Sequence, residues 1–206
     1  MPLTHAEKYK LRIIWYWYPL YCLGGISFLA FIILVITGSI LGLYYVPGGE
    51  GDPTPAYSSM EFIMTTLPFG YIIRSIHHWT THFMVAAVFL HMCRVYFTGA
   101  YRNPRELNWL IGVALMFFVI FFGYSGYLLP WDSLAFGAAT IGINMATSTP
   151  LIGDWMANAL FAGTTLSGQT VTRMYFLHVF ILPVLVTTLI LIHLFIVWVQ
   201  GIAEPH

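Results

Sequence analysis

Four stretches of this 206-residue chain are each long and apolar enough to cross a hydrocarbon layer, which constrains the fold before any motif does. A span needs about 20 predominantly apolar residues in a row. The windows run over about residues 22–46, 74–98, 109–129 and 176–200. Charged residues make up 8% of the chain, against roughly 25% in a soluble domain, so lipid is the solvent for most of it. Backbone amides find no water there, so spans of this length close as helices. The expected fold is all-α, an integral membrane four-helix bundle forming a single domain over residues 1–206. The formal net charge is zero, which gives no reason to expect nucleic acid as a partner.

The connections differ in character. Pro47-Gly-Gly-Glu-Gly-Asp-Pro-Thr-Pro55 cannot continue the first span as a helix. A longer polar connection runs from Pro130 to Arg173, and within it Trp155-Met-Ala-Asn-Ala-Leu-Phe161 reads as a short helix lying along the interface. Cys22 and Cys93 fall in no CxxC or CxxCH pattern, so neither a disulfide nor a zinc site is expected from them. Residues 1–12 are polar and have no signal-peptide core, so the chain is expected to enter the membrane through its own helices.

Basic residues set the orientation. Lys8, Lys10 and Arg12 precede the first span, and Arg94, Arg102 and Arg105 cluster at the second connection. Glu50, Asp52, Glu61, Asp132 and Asp154 lie in the first and third connections. The positive-inside rule places both termini and the second connection on the negative, cytoplasmic side.

Histidines carry the chemistry. His77 and His91 lie 14 residues apart in the second span, and His178 and His193 lie 15 apart in the fourth. At about 100° per residue, both intervals return the side chain to within roughly 40–60° of its starting direction, some 21 Å further along the helix. The second and fourth spans run the same way. His77 therefore pairs in depth with His178 near the positive side, and His91 with His193 near the negative side. Two matched levels make two bis-histidine sites. Imidazole suits iron, and polar groups at membrane depth need partners. A haem between each pair meets both demands. The plainer alternative, four hydrogen-bonded core histidines, leaves the matched spacing unexplained. His78 and His82 have no partner at their levels and read as packing or interhelical hydrogen bonding.

Glycines repeat the interval. Gly24 and Gly38 in the first span, and Gly112 and Gly126 in the third, are each 14 apart. Such glycines would let a flat macrocycle approach the backbone, although small residues also serve plain helix packing in membranes. Arg74 and Arg94, three residues outside the second-span histidines, are placed to pair with haem propionates.

Several segments resemble the cytochrome b family of quinol–cytochrome c and quinol–plastocyanin oxidoreductases: Arg74-Ser-Ile-His77, Leu90-His91-Met-Cys-Arg94, Asn103-Pro-Arg-Glu-Leu107, Gly126-Tyr-Leu-Leu-Pro-Trp-Asp132, and Thr172-Arg-Met-Tyr-Phe-Leu-His178 with His193. The 15-residue interval and the end of the chain just after Gln200-Gly-Ile make it more similar to the split, cytochrome b6 type. The resemblance implies two b haems, on His77/His178 and His91/His193. It also implies a covalent c-type haem at Cys22, because Tyr21-Cys-Leu-Gly-Gly-Ile26 is similar to the segment that bears one; Cys93 has no such counterpart and reads as packing.

The resemblance further implies a quinol-oxidation site on the positive side, with Gly126, Tyr127, Pro130 and Trp131 as one wall, and a second quinone site beside the inner haem. No Pro-Glu-Trp-Tyr motif occurs here, so a three-span partner subunit is expected to complete the catalytic site. A Rieske iron–sulfur protein, a c-type cytochrome subunit, membrane lipid and a dimeric complex are the other implied partners. The expected setting is a prokaryotic cytoplasmic membrane, or a thylakoid if the service is photosynthetic. The expected function is transmembrane electron transfer in a protonmotive Q cycle. Two rival readings are a di-haem membrane anchor of a dehydrogenase or hydrogenase, and a haem-free transporter with a histidine proton relay. The first lacks the Gly-Tyr-Leu-Leu-Pro-Trp segment, and the second leaves the paired glycines without a purpose.

Overall fold

The computed structural model describes residues 20–202. Lys8, Lys10 and Arg12, on which part of the orientation argument stands, lie outside them. Among the described residues the chain is helical, without strands: α1 Leu23–Gly42, α2 Pro55–Thr65, α3 Gly70–Phe97, α4 Glu106–Tyr127, α5 Ser133–Thr147, α6 Gly153–Phe161, α7 Gly168–Phe176, a π-turn Leu177–Ile181 and α8 Leu182–Gln200.

Three helical segments are long and apolar enough to cross a membrane: α1, α4 and the continuous 33-residue rod Gly168–Gln200. The remaining expected span, α3, has 28 residues and so a length of about 42 Å. It is less apolar because Arg74, His77, His78, His82, His91 and Arg94 all lie on it. The two histidine pairs thus sit on one markedly polar helix and one strongly apolar rod. Trp79 and Trp198 are 70% and 79% exposed, an apolar exterior that suits lipid rather than water.

Helix starts follow local chemistry. Thr54 caps α2, its hydroxyl accepting from Tyr57 N–H, and Pro55 opens the first turn. Asp132 caps α5, accepting from Ala135 N–H at 2.9 Å. Ser167 N–H donates to Thr170 Oγ1 at 3.2 Å at the start of α7. The sequence reading missed α2, and the final rod begins at Gly168 rather than near 176. The expected helix at 155–161 is present as α6, with α5 before it.

In the bundle α1 packs chiefly on α3, and α4 on α8. Two buried clusters result. One, at the His77/His178 end, joins Tyr45, Leu128, Trp131, Ala139, Ile143, Phe161, Val171 and Met174. The other, in the bundle centre, joins Ala30, Phe31, Leu34, Met84, Val119 and Val186. This central layer falls midway between the histidine levels. Phe31 lies seven residues from Gly24 and from Gly38, Met84 seven from His77 and from His91, and Val119 seven from Gly112 and from Gly126.

Candidate functional site

At one level of the bundle, His77 on α3 and His178 in the π-turn lie with ring centroids 6.4 Å apart and planes at 71°. Both rings are anchored through Nδ1. His77 Nδ1 is 2.9 Å from Thr37 Oγ1. His178 Nδ1 is 3.1 Å from Ser125 Oγ and 3.1 Å from the Phe122 carbonyl. The π-turn explains the unequal spacing. A π-turn holds one residue more than an α-turn, so 15 residues that include one turn the side chain about as far as 14 in a regular helix. His178 and His193 therefore share a face as closely as His77 and His91 do.

Each of the four glycines faces one of the four histidines. A Cβ built on Gly38 would lie 3.1 Å from His77 Cε1, and on Gly126 2.6 Å from His178 Cε1. At the other level the distances are 3.1 Å from Gly24 to His91 and 3.6 Å from Gly112 to His193. The nearest group to each glycine is thus an imidazole, one that an added methyl would crowd at Gly126, Gly38 and Gly24 but only touch at Gly112.

At the other level, His91 and His193 line a cavity of about 330 Å³ together with Gly24, Gly112, Arg94 and Arg105. Its walls are mostly apolar. Every buried side-chain polar atom that lacks a hydrogen bond among the described residues belongs to this lining: His91 Nδ1, His193 Nδ1, Arg94 Nε, Arg105 Nε, Asn108 Oδ1 and Gln200 Oε1. Six unmatched groups converging on one cavity mark a place built for a polar-edged ligand, since buried polar groups in folded proteins are otherwise paired. Asn108 was not singled out in the sequence, and Arg105 and Gln200 were read there only for orientation and family resemblance, not as part of a site. Gln200 is tied to the start of α4 twice, its side-chain Nε2 donating to the Pro104 carbonyl at 2.8 Å and its backbone carbonyl accepting from Arg105 at 3.5 Å.

Arg94 stacks its guanidinium 3.7 Å over the Tyr21 ring. Arg74 points its guanidinium at two thioethers, Met60 Sδ at 3.1 Å and Met64 Sδ at 3.4 Å. Sulfur is a weak acceptor, so the charge has no strong partner there. Cys22 precedes the first residue of α1 and is exposed, while Cys93 is half-buried; both are free thiols. His82 Nε2 lies 3.4 Å from His78 Nε2. The two form a pair within α3, on an exposed face, rather than an interhelical contact.

The expected quinol-site wall divides. Tyr127 is exposed, whereas Trp131 is 3% exposed and belongs to the core at the His77/His178 end, edge-on to Phe136. Tyr45 donates to the Leu129 carbonyl at 2.7 Å and so ties the end of α1 to this segment. Burial, with Tyr175 beside it, pushes the Tyr45 phenol well above its usual range, so it stays a donor.

Among the described residues no three His, Cys, Asp or Glu side chains come together. A metal held by either histidine pair takes its other donors from the group that carries it. Residues 7–201 match the family described as Cytochrome b/b6/petB. Cytochrome b6 of Heliobacterium mobile is 41% identical over 185 residues, covering 90% of this chain and 85% of the relative. Cytochrome b6 of Euglena gracilis is 42% identical, with 90% and 84% covered. A solved structure titled "Hyperthermophilic respiratory Complex III" superposes with a TM-score of 0.79 at 32% identity, over 90% of this chain and 49% of that one. The chain belongs to the cytochrome b/b6 family. It is a cytochrome b6-type, haem-b-family membrane subunit of a bc/b6f-type oxidoreductase complex.

Proposed function

We propose that this single membrane domain holds two b haems, one between His77 and His178 and one between His91 and His193, and serves a Q cycle. The observation that carries the reading is the pairing of each histidine with its own glycine at two depths. The 6.4 Å between ring centroids at the outer level accommodates a metal with two imidazole bonds of about 2 Å each. The cavity with its unmatched arginine nitrogens suits a flat apolar group with an anionic edge. Arg74 and Arg94 would take the propionates. Arg105 opens on the same cavity as Arg94. When bound, the haems supply one-electron transfer between quinol on the positive side and quinone on the negative side.

The chain's own residues do the rest. The histidine Nε2 atoms would hold the haem irons, and the glycines keep the imidazoles close to α1 and α4. Phe31, Met84, Val119 and Val186 keep water out of the space between the levels. Gly126, Tyr127, Pro130 and Trp131 form or back one wall of the quinol site, and a three-span subunit supplies the other. A Rieske iron–sulfur protein and a c-type cytochrome complete the path in a dimeric complex. Cys22 carries a third haem through one thioether, beside the cavity that its neighbours Tyr21 and Gly24 line. The complex lies in a prokaryotic cytoplasmic membrane, or a thylakoid, with both termini of this chain on the negative side. Family membership sets aside the dehydrogenase anchor and the histidine-relay transporter.

Single replacements test the reading. In the purified complex, His178→Leu is expected to remove one b haem and leave the other, and His193→Leu to remove the other. Full retention of both haems in either variant would contradict the assignment.

A further inference from the structure

We infer that Thr37 and Ser125 tune the positive-side redox centre, fixing the His77 and His178 tautomers and lowering the reduction potential of the group those histidines ligate. This rests on the two-haem reading above.

Hydrogen counting gives the direction of each bond. Thr37 Oγ1 donates its one proton to the Ile33 carbonyl at 2.7 Å. It can therefore only accept from His77, 2.9 Å away, whose Nδ1 must carry the proton. Ser125 Oγ donates to the Phe122 carbonyl at 2.9 Å. It too can only accept, and the carbonyl that His178 Nδ1 also meets at 3.1 Å cannot donate at all. Both imidazoles are thus Nδ1–H tautomers, with the Nε2 lone pair left free as ligand. Ser125 is fully buried and Thr37 is buried, so no water competes. A hydroxyl that is itself donating is a stronger acceptor. An Nδ1–H held by an acceptor makes the ring a more basic ligand. A more basic axial ligand favours the oxidised iron, which lowers the potential.

The other level is built differently. His91 Nδ1 and His193 Nδ1 have no hydrogen-bond partner among the described residues. The difference is written beside the glycines. A hydroxyl residue precedes Gly38 and Gly126, as Thr37 and Ser125, whereas Leu23 and Ile111 precede Gly24 and Gly112. Hydrogen-bonded imidazoles at the His77/His178 level and unpartnered ones at the His91/His193 level would set the two centres at different potentials.

The test is a potentiometric titration of the purified complex followed in the b-haem absorption bands, after haem content has been measured for each variant. The outer centre is identified as the one lost in His178→Leu. Thr37→Val and Ser125→Ala are each expected to raise the outer midpoint and leave the inner one in place. The partition of one electron between them should shift by roughly two- to tenfold, the worth of one net hydrogen bond. Thr37→Ser should titrate as the wild type. If Thr37→Val fails to assemble, Ser125→Ala decides alone. Unmoved midpoints in variants that keep both haems, or two midpoints moving together, would overturn the tuning role while leaving the two-haem reading intact. A wild-type complex without b haem would overturn both.

Discussion

Gly126 and His178 are in direct contact, and the glycine is what allows it: a Cβ there would stand 2.6 Å from the imidazole Cε1. That distance is shorter than any side chain tolerates. At the opposite corner the same construction on Gly112 leaves 3.6 Å to His193, an ordinary contact.

The two glycines should therefore respond differently to one methyl group. Gly126→Ala is expected to displace the His178 ring, at a cost of about 1–3 kcal/mol of overpacking, and to deplete the outer haem. Gly112→Ala should retain both. Haem per complex, read from the reduced-minus-oxidised spectrum, checks this; equal retention in the two variants would contradict it.

The π-turn Leu177–Ile181 makes a second prediction. Deleting Val179 shortens the interval to 14 residues and converts the π-turn to a regular α-turn, so both histidines should stay in register and both haems remain. Deleting Val85 from α3, which has no π-turn between His77 and His91, rotates one histidine by about 100° relative to the other. That variant should lose one haem. Haem content and the thermal stability of the two deletions separate the cases.

Cys22 gives the third. Cys22→Ser should abolish haem that survives acid–acetone extraction while leaving both extractable b haems. Cys93→Ser should change neither. Extraction-resistant haem persisting in Cys22→Ser would place the attachment elsewhere.

Tyr45 links pH to stability. Its folded-state phenol titrates above the ordinary value of 10.0 because of burial first and Tyr175 second. An unfolded chain loses that proton near pH 10 while the folded one keeps it, so stability from this group is full below pH 10 and declines as pH rises above it. Tyr45→Phe should show a shallower loss of melting temperature between pH 10 and 11. At neutral pH it should be less stable by about 1–3 kcal/mol, because the Leu129 carbonyl loses its donor. A melting curve at each pH reads both effects.

The central architecture was legible because length and spacing are one-dimensional quantities. Spans can be counted along a chain, and intervals of 14 and 15 map directly onto helical turns. The same arithmetic hid the π-turn, since an offset of one residue passes as angular tolerance when a helix is taken as regular. The helix Pro55–Thr65 was masked by the glycines and prolines before it, although Thr54 and Pro55 were a start signal in plain view. The final rod was begun too late because Gly168 to Arg173 is polar, and hydropathy marks burial in lipid rather than helicity. Thr37 and Ser125 went unread because a hydroxyl beside a glycine looks like ordinary small-residue packing until the ring that meets it is in place. Arg105, Asn108 and Gln200 come from the ends of two different helices, and only the folded chain brings them to one cavity.

The most direct test of the account is a pyridine haemochrome measurement on the purified complex, before and after acid–acetone extraction, referred to the amount of this chain. Two extractable b haems per chain, with a further haem left on the polypeptide at Cys22, is the predicted result. A folded complex yielding one b haem per chain, or none, would contradict the pairing of His77 with His178 and His91 with His193.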